Sequence, residues 1–257
     1  MRNDVRHSGG GGVARCRVKQ FSSIRIKSDW PIHWFSYWIF TPATALSFGY
    51  CLTDEKFNIL EKEDILINPQ GGFHLTDRKG TQGLVLPYEY KDFKNYPTFP
   101  QLAPRIYALL EDEETLVAGH ATMNDVKYLN LESKRFSLRS FRFRFADTQF
   151  VYMNRIGVFN RQFGLGSIAE DLGVEFTPHR AADDAYATMR VAEAMCREEA
   201  LSFSALLEKY GIEPGRIENY EVTQNSSTAQ RAYLKAAQDY NATCSQQIYD
   251  SFSGEEL

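Results

Sequence analysis

Hydrophobic and polar positions along the chain follow two periods, one typical of strands and one typical of helices. Two apolar runs, at 34–40 and 46–53, predict buried strands. A second β-run at 58–69 follows the polar turn TDEKF, which indicates a hairpin. TLVAGH predicts a short buried strand, and FRFRFADTQ alternates Phe with Arg as a one-sided strand that ends at Asp147.

Helical spacing of apolar residues appears in the segments between and after these strands. PTFPQLAPRIYALLEDEE has an apolar face made of Leu102, Ile106, Leu109 and Leu110. Further helices are predicted at 123–135, over the GLGSIAEDLGV run with Gly173 just past its end, at 183–198 and at 203–210. A hairpin followed by alternating helices and strands predicts an α/β fold with a mixed sheet flanked by helices.

The composition changes along the chain and predicts three regions. Residues 1–33 form a basic extension that is expected to be disordered, since 1–27 carry seven Lys or Arg against one acid. Residues 34–210 form the folded domain, with a long surface loop at 70–97. Residues 211–257 form a tail, in which IEPGRIENYEV is an extended exit and 226–250 a helix. The apolar side of that helix consists of Ala229, Ala232, Tyr233, Ala236 and Tyr240.

Charge and cysteine usage narrow the classes of function. The formal net charge of −4 means that any nucleic-acid contact depends on a local basic patch or on bound cations. The uncharged stretch 30–53 raises the alternative of a signal peptide or membrane anchor, but its two prolines and its short apolar blocks favour strands and no membrane. Four separated cysteines without a CxxC pair indicate neither zinc nor disulfides, as in a cytoplasmic protein.

Two short segments place carboxylates where a helix begins. TPHRAADDAYAT contains His179, Asp183 and Asp184, and AGHATMNDVKYL contains His120 and Asp125. One interpretation is structural, with an aspartate capping each helix and the histidines incidental. The other is a divalent-metal site, since two helix-start aspartates at strand ends supply the hard oxygen ligands that Mg²⁺ prefers.

Four motifs, taken in order, resemble the DEDDh 3′-to-5′ exonucleases. They are the GH…ND-x-x-YL pattern of 119–129, the DT of 147–148, the L-x-x-I-A-x-x-L-G-V run of 165–174 and H-R-A-A-D-D-A at 179–185. This family includes RNase T, oligoribonuclease and the DnaQ-like proofreading subunits of bacterial DNA polymerases. The resemblance covers about 46–210 and implies a ribonuclease H-like fold.

The resemblance also implies roles for individual residues. His179 matches the general base that deprotonates the attacking water, while Asp125 and Asp184 match metal-binding acids. The cofactor implied is Mg²⁺ or Mn²⁺, in a two-metal hydrolysis of phosphodiester bonds at single-stranded DNA or RNA 3′ ends.

Three other polar residues are given supporting roles. Asp183 is interpreted as a helix cap or as a residue that orients the metal ligands. Asp147 and His120 are assigned to structure around the site.

The first acidic motif of the family is missing. A D-x-E is expected near 37–41, where this chain reads YWIFT, and no acid lies between Asp29 and Asp54. The remaining acids should therefore bind a cation weakly, which impairs catalysis. Three explanations stay open: an inactive pseudo-exonuclease that binds nucleic acid or protein, acids supplied from elsewhere such as Asp29 or Asp54, and a frameshift or misplaced start that replaced the sequence before Leu46.

A binding module is a further alternative. FRFRF with Lys134, Arg135 and Arg139 nearby could form an aromatic and basic face for single-stranded nucleic acid. The preferred interpretation is a sheet strand whose Phe side is core and whose Arg side is solvated.

Overall fold

A computed structural model describes residues 32–41, 44–71, 90–112, 115–175 and 180–253 of the chain. The predicted disorder of 1–33 falls almost wholly outside these ranges. Most of the predicted loop at 70–97 and the candidate base His179 also lie outside the described residues.

The central sheet has seven strands in the order β3-β2-β1-β4-β5-β7-β8. The strands are β1 (Ile32–Thr41), β2 (Thr44–Thr53), β3 (Ile59–Leu66), β4 (Leu116–Gly119), β5 (Phe143–Asp147), β6 (Ile212–Glu213), β7 (Gly215–Glu218), β8 (Glu221–Thr223) and β9 (Ser226–Ser227). β4 is parallel to β1 and to β5, whereas the other pairs in this sheet are antiparallel. β6 and β9 form a separate two-stranded sheet. The mixed sheet predicted by the sequence is therefore confirmed.

Seven helices follow and cover the strands in the described part of the chain. They are α1 (Phe99–Leu110), α2 (Thr122–Arg135), α3 (Thr148–Ile156), α4 (Leu165–Asp171), α5 (Ala181–Glu199), α6 (Phe203–Lys209) and α7 (Thr228–Ser253). Gly173 follows α4 with a φ of 63°, as predicted for a residue just past a helix end. The sequence did not predict α3, which begins directly after β5 because the side chain of Asp147 caps it.

The sheet separates two hydrophobic cores, because successive side chains of a strand point to opposite faces. Val126 of α2 packs with Phe48, Val117 and Phe145 on one face. Helix α5 packs on the other face, where its alanines and methionines meet the following residues: Cys51, Ala118, Ala146 and Ile168. Helices α2 and α5 therefore lie on opposite sides of β1 and β4.

Two predictions about the connecting segments were wrong. Within the predicted loop at 70–97, Tyr90–Asn95 forms a 3₁₀ turn, and its Phe93 is fully buried. The predicted extended exit forms β7 and β8, which add two strands to the sheet beside β5. Gly215 makes this pairing possible, since a Cβ there would lie 2.5 Å from the ring of Phe145.

The predicted C-terminal helix is present as α7, and most of its described surface is solvent-exposed. Tyr233 contacts the ring of Phe159 with centroids 5.8 Å apart, whereas Tyr240 is 70% exposed. The limits of the domain stay a prediction.

None of the helices in the described part of the chain combines the length and the hydropathy that crossing a membrane requires.

Candidate active site

The start of α2 lies at the carboxyl end of the central strand β4. Trp34 of β1 pairs with Ala118 in the parallel strand β4, and β4 ends one residue later at Gly119. Helix α2 begins at Thr122, so the connection from β4 is only two residues long. β1 continues beyond the residue that lies level with the end of β4. The edge of β1 that β4 does not cover there lies next to the first turn of α2.

The start of α5 lies on the opposite face of the central sheet, at nearly the same position along β1. Gly49 of β2 pairs with Ser36 of β1, two residues after the position that faces Ala118. A Cβ on Gly49 would lie 2.0 Å from the carbonyl carbon of Ala181 and 2.1 Å from the nitrogen of Ala182. The backbone of α5 therefore touches the backbone of β2 at its first turn.

Asp125 and Asp184 are the first-turn acids that face inward. Their residues are 9% and 5% exposed, respectively. Free N–H groups at a helix start favour a negative charge, so each carboxylate is stabilised by its own helix. Both predicted acids are thus buried, in first turns that lie beside the middle of β1. Their assignment as metal ligands stays a prediction, as does the role of His179.

Asp183 is directed away from this position. Its carboxylate accepts a hydrogen bond from Nζ of Lys62 on β3 at 2.7 Å, and the same Nζ lies 4.8 Å from the centre of the Tyr186 ring. Arg180 is the N-cap residue of α5, so Asp183 does not cap the helix. The carboxylate instead holds the first turn of α5 against β3.

Asp147 connects the starts of α2 and α3. Its Oδ1 accepts hydrogen bonds from the backbone N–H groups of Ala121 and Gln149, and its Oδ2 accepts one from Thr122. Burial raises the pKa of this carboxyl to about 6, although the backbone donors act in the opposite direction. The carboxylate of Asp147 thus ties the start of α2 to the start of α3, and the role of Asp147 in the site stays a prediction.

His120 occupies a buried position behind the site. Its Nε2 lies 3.0 Å from the carbonyl oxygen of Phe163, which can only accept, so the proton of the imidazole lies on Nε2. Nδ1 lies 3.1 Å from the hydroxyl oxygen of Thr148. Burial lowers the pKa of His120 to about 4, and the imidazole is therefore neutral near pH 7. It connects β4 to the loop before α4.

We expect His120 to make the stability of the fold depend on pH. The unfolded histidine takes up a proton below its ordinary pKa of about 6.5, while the folded one stays neutral down to about 4. Unfolding is therefore favoured as the pH falls through this window, by on the order of 3 kcal/mol. Asp147 has the opposite effect between about pH 6 and its ordinary pKa. Its raised pKa lets the folded state bind the proton first, so the folded state is favoured as the pH falls through this window.

The variant His120→Gln isolates the histidine contribution, since the glutamine amide can still donate to Phe163. Urea unfolding of both proteins near pH 7 and near pH 4 should show the variant gaining on the wild type as the pH falls. An equal difference at both pH values would contradict a buried neutral His120.

Two carboxylates are a small donor set for a divalent cation. Among the side chains that the structure describes, no three His, Cys, Asp or Glu groups converge on a metal-sized site. A pair of carboxylates can hold at most a single Mg²⁺ that keeps several waters and binds substrate phosphates. Asp125 and Asp184 do not suffice for the pair of ions that the resemblance implies.

Two residues that position the site were not identified from the sequence. Gly49 carries a weak signal, since a glycine inside a buried strand often marks a close backbone approach. Lys62 carries none, because its partner Asp183 is 121 positions away.

Comparisons with known proteins agree with this architecture. A family model described as an exonuclease, RNase T, matches residues 42–192, which is more than half of the chain. No curated protein sequence matches significantly.

Several solved structures share the fold. One, on 3′-end specific recognition of histone mRNA stem-loop by 3′-exonuclease, has a TM-score of 0.61 and 15% identity over 80% of this chain and 74% of that chain. Cell-death related nuclease 4 has a TM-score of 0.53 and 12% identity, with 68% and 66% covered. E. coli Exonuclease I in complex with a dA16 oligonucleotide has a TM-score of 0.50 and 16% identity, with 72% and 44% covered. The ribonuclease H-like α/β fold predicted from the sequence is confirmed.

Proposed function

Since this chain belongs to the RNase T family of exonucleases, we propose that it removes nucleotides from the 3′ ends of single-stranded DNA or RNA. The observation that carries this proposal is that Asp125 and Asp184 lie in the first turns of α2 and α5 and that both are buried beside the middle of β1. Nucleic acid as the partner is also supported by the similar structures, two of which concern an mRNA stem-loop and a bound oligonucleotide.

The carboxylates of Asp125 and Asp184 would hold Mg²⁺ or Mn²⁺, which supplies Lewis acidity and an activated water for phosphodiester hydrolysis. The protein's own contribution is to fix these two acids. Asp184 is fixed because α5 touches Gly49 and is tied to β3 by Lys62. Asp125 is fixed because Asp147 binds the first N–H groups of α2.

His179 is proposed as the group that accepts the proton of the attacking water. A neutral imidazole suits this role near pH 7. It precedes Asp184 by five positions and comes directly before the N-cap residue of α5.

Weak cation binding is part of the proposal. The sequence offers no acid between Asp29 and Asp54, and the whole of β1 and β2 falls within that interval. With two carboxylates instead of four, fewer charges offset the dehydration of Mg²⁺.

The same observation favours a second candidate function, a catalytically inactive binding module. In that case the region around Asp125 and Asp184 keeps its shape and its contacts to the nucleic-acid strand, but the phosphodiester bond is not hydrolysed. The two functions differ in what divalent cations do. Cleavage requires them, whereas electrostatic retention of an oligonucleotide persists without them and weakens with salt.

A nuclease assay with Mn²⁺ and with Mg²⁺ tests the proposal. The wild-type chain and His179→Ala are incubated with 3′-labelled single-stranded DNA and RNA, and released labelled mononucleotides are measured. We expect metal-dependent release from the wild type and a loss of about a hundredfold to ten-thousandfold in the variant. Salt-sensitive retention without cleavage would establish the binding module instead, and equal rates in both proteins would remove His179 from the mechanism.

A further inference from the structure

Two arginines face each other across β5 and β7. Arg144 of β5 is the direct partner of Arg216 in the antiparallel strand β7. The Cβ atoms of directly opposite residues are about 5 Å apart and lie on the same face of the sheet. Phe143, Phe145 and Ile217 point into the core on the opposite face. The two guanidinium groups therefore share the other face of the sheet, on which Ala146, two residues after Arg144, joins the core that packs against α5.

Neither arginine side chain has a hydrogen bond or an ion pair with any residue that the structure describes. Arg144 is half-buried, and burial lowers its pKa, while Arg216 is exposed. Most other described arginines have an acid partner: Arg105, Arg135, Arg139, Arg142, Arg155, Arg190 and Arg231.

The acid on β7 that shares this face is already engaged. Glu218 of β7 binds Arg142 at 3.3 Å, and Thr223, the partner of Arg216 on β8, carries no charge. Like charges directly opposite each other in a sheet are destabilising, and a half-buried guanidinium without an acceptor adds a desolvation cost. An anion between the two arginines would relieve both effects.

We propose that Arg144 and Arg216 together bind a backbone phosphate of the nucleic-acid strand, at a position separate from Asp125 and Asp184. This inference rests on the proposed function for the identity of the ligand. Arginine presents its N–H donors in a planar fork that matches phosphate oxygens. In a chain with a net charge of −4, binding of a polyanion requires such local sites.

The position of the pair along β5 suits a strand that also reaches the candidate active site. Arg144 precedes Asp147 by three residues, which corresponds to about 10 Å along a strand. Asp147 in turn binds the first turn of α2, which carries Asp125. A phosphate at the arginine pair would therefore belong to a nucleotide upstream of the 3′ end.

Binding of a labelled single-stranded oligonucleotide to the full chain tests this inference. Fluorescence anisotropy is measured in EDTA over a range of NaCl concentrations, so that no cleavage occurs. We expect Arg144→Gln and Arg216→Gln each to weaken binding about tenfold. The slope of log affinity against log salt should also become shallower by about 0.7 for each phosphate that the variant no longer neutralises.

The matched control is Arg197→Gln, which removes the same charge from an exposed position on α5. It should leave affinity and slope within about twofold of the wild type. Arg216→Glu provides a second readout that does not depend on ligand, because it places an acid opposite Arg144. We expect this variant to melt at a higher temperature than the wild type and to bind no oligonucleotide.

The outcomes separate this inference from the proposed function. Equal affinity and slope in the wild type and both Gln variants would overturn the arginine site, and so would a wild type that binds no oligonucleotide at low salt. Release of mononucleotides by the Mn²⁺ assay tests catalysis independently. Binding that depends on the two arginines without any cleavage would support the site while refuting the exonuclease.

Discussion

Replacing Gly49 with alanine is expected to lower the free energy of unfolding by about 3 kcal/mol, near the upper end for overpacking a core. The added Cβ would lie 2.0 Å from the carbonyl carbon of Ala181 and 2.1 Å from the nitrogen of Ala182. Both atoms are backbone, so no side-chain rotation relieves the clash, and β2 and α5 must move apart. Asp184 lies in the same helical turn, so its position in the site should change as well.

Urea unfolding monitored by circular dichroism measures the effect. Gly71→Ala is the matched control, because the nearest atoms to a Cβ there lie at 3.8 and 3.9 Å, in ordinary van der Waals contact. We expect the control to unfold within about 0.5 kcal/mol of the wild type. Equal stability of the Gly49 and Gly71 variants would mean that α5 does not press on β2 at this point.

A large loss of activity is also expected from Asp184→Asn. The substitution keeps the shape of the side chain but removes one of the two buried carboxylates proposed to hold the cation. We expect kcat/KM for release of 3′ mononucleotides to fall about a thousandfold, since a bound metal ion contributes several kcal/mol to the stabilisation of the transition state. We also expect Mn²⁺ to raise the melting temperature of the wild type but not that of the variant.

Asp183→Asn is the neighbouring control. Asp183 carries the same charge on the same turn, but its carboxylate is ion-paired with Lys62 at the surface. The asparagine oxygen can still accept the hydrogen bond from Lys62, and the charge of a surface ion pair contributes little. This variant should therefore keep its activity within a few fold and its Mn²⁺ response. Equal losses in the two variants would mean that the aspartate five positions after His179 is not the cation ligand, or that both substitutions act by displacing α5.

Much of the fold could be predicted because the relevant signals are local. The Phe–Arg alternation of β5, the apolar spacing of α2 and α5, and Gly173 after α4 each depend on residues within a few positions of one another. The candidate acids Asp125 and Asp184 were found in the same way, from helix starts and from motif order. Signals of this kind do not require knowledge of which elements pack together.

Other features escaped prediction for physical reasons. β7 and β8 have short, charged sequences, and they form strands because Gly215 packs against Phe145, 70 positions away in the chain. Helix α3 depends on the cap supplied by Asp147, a residue interpreted only as the end of a strand. The exposed position of Asp183 follows from Lys62, which lies on a different strand.

The sequence by itself determined the α/β class, most of the element order and the two acids at helix starts, since periodicity and capping act over one or two turns. Only the tertiary structure decided that α2 and α5 lie on opposite faces of the sheet and that both begin beside the middle of β1. It also decided that Gly49 must lack a side chain and that Arg144 faces Arg216 without an acid. These features arise from contacts between residues distant in the chain, and local patterns do not encode which distant surfaces will pack together.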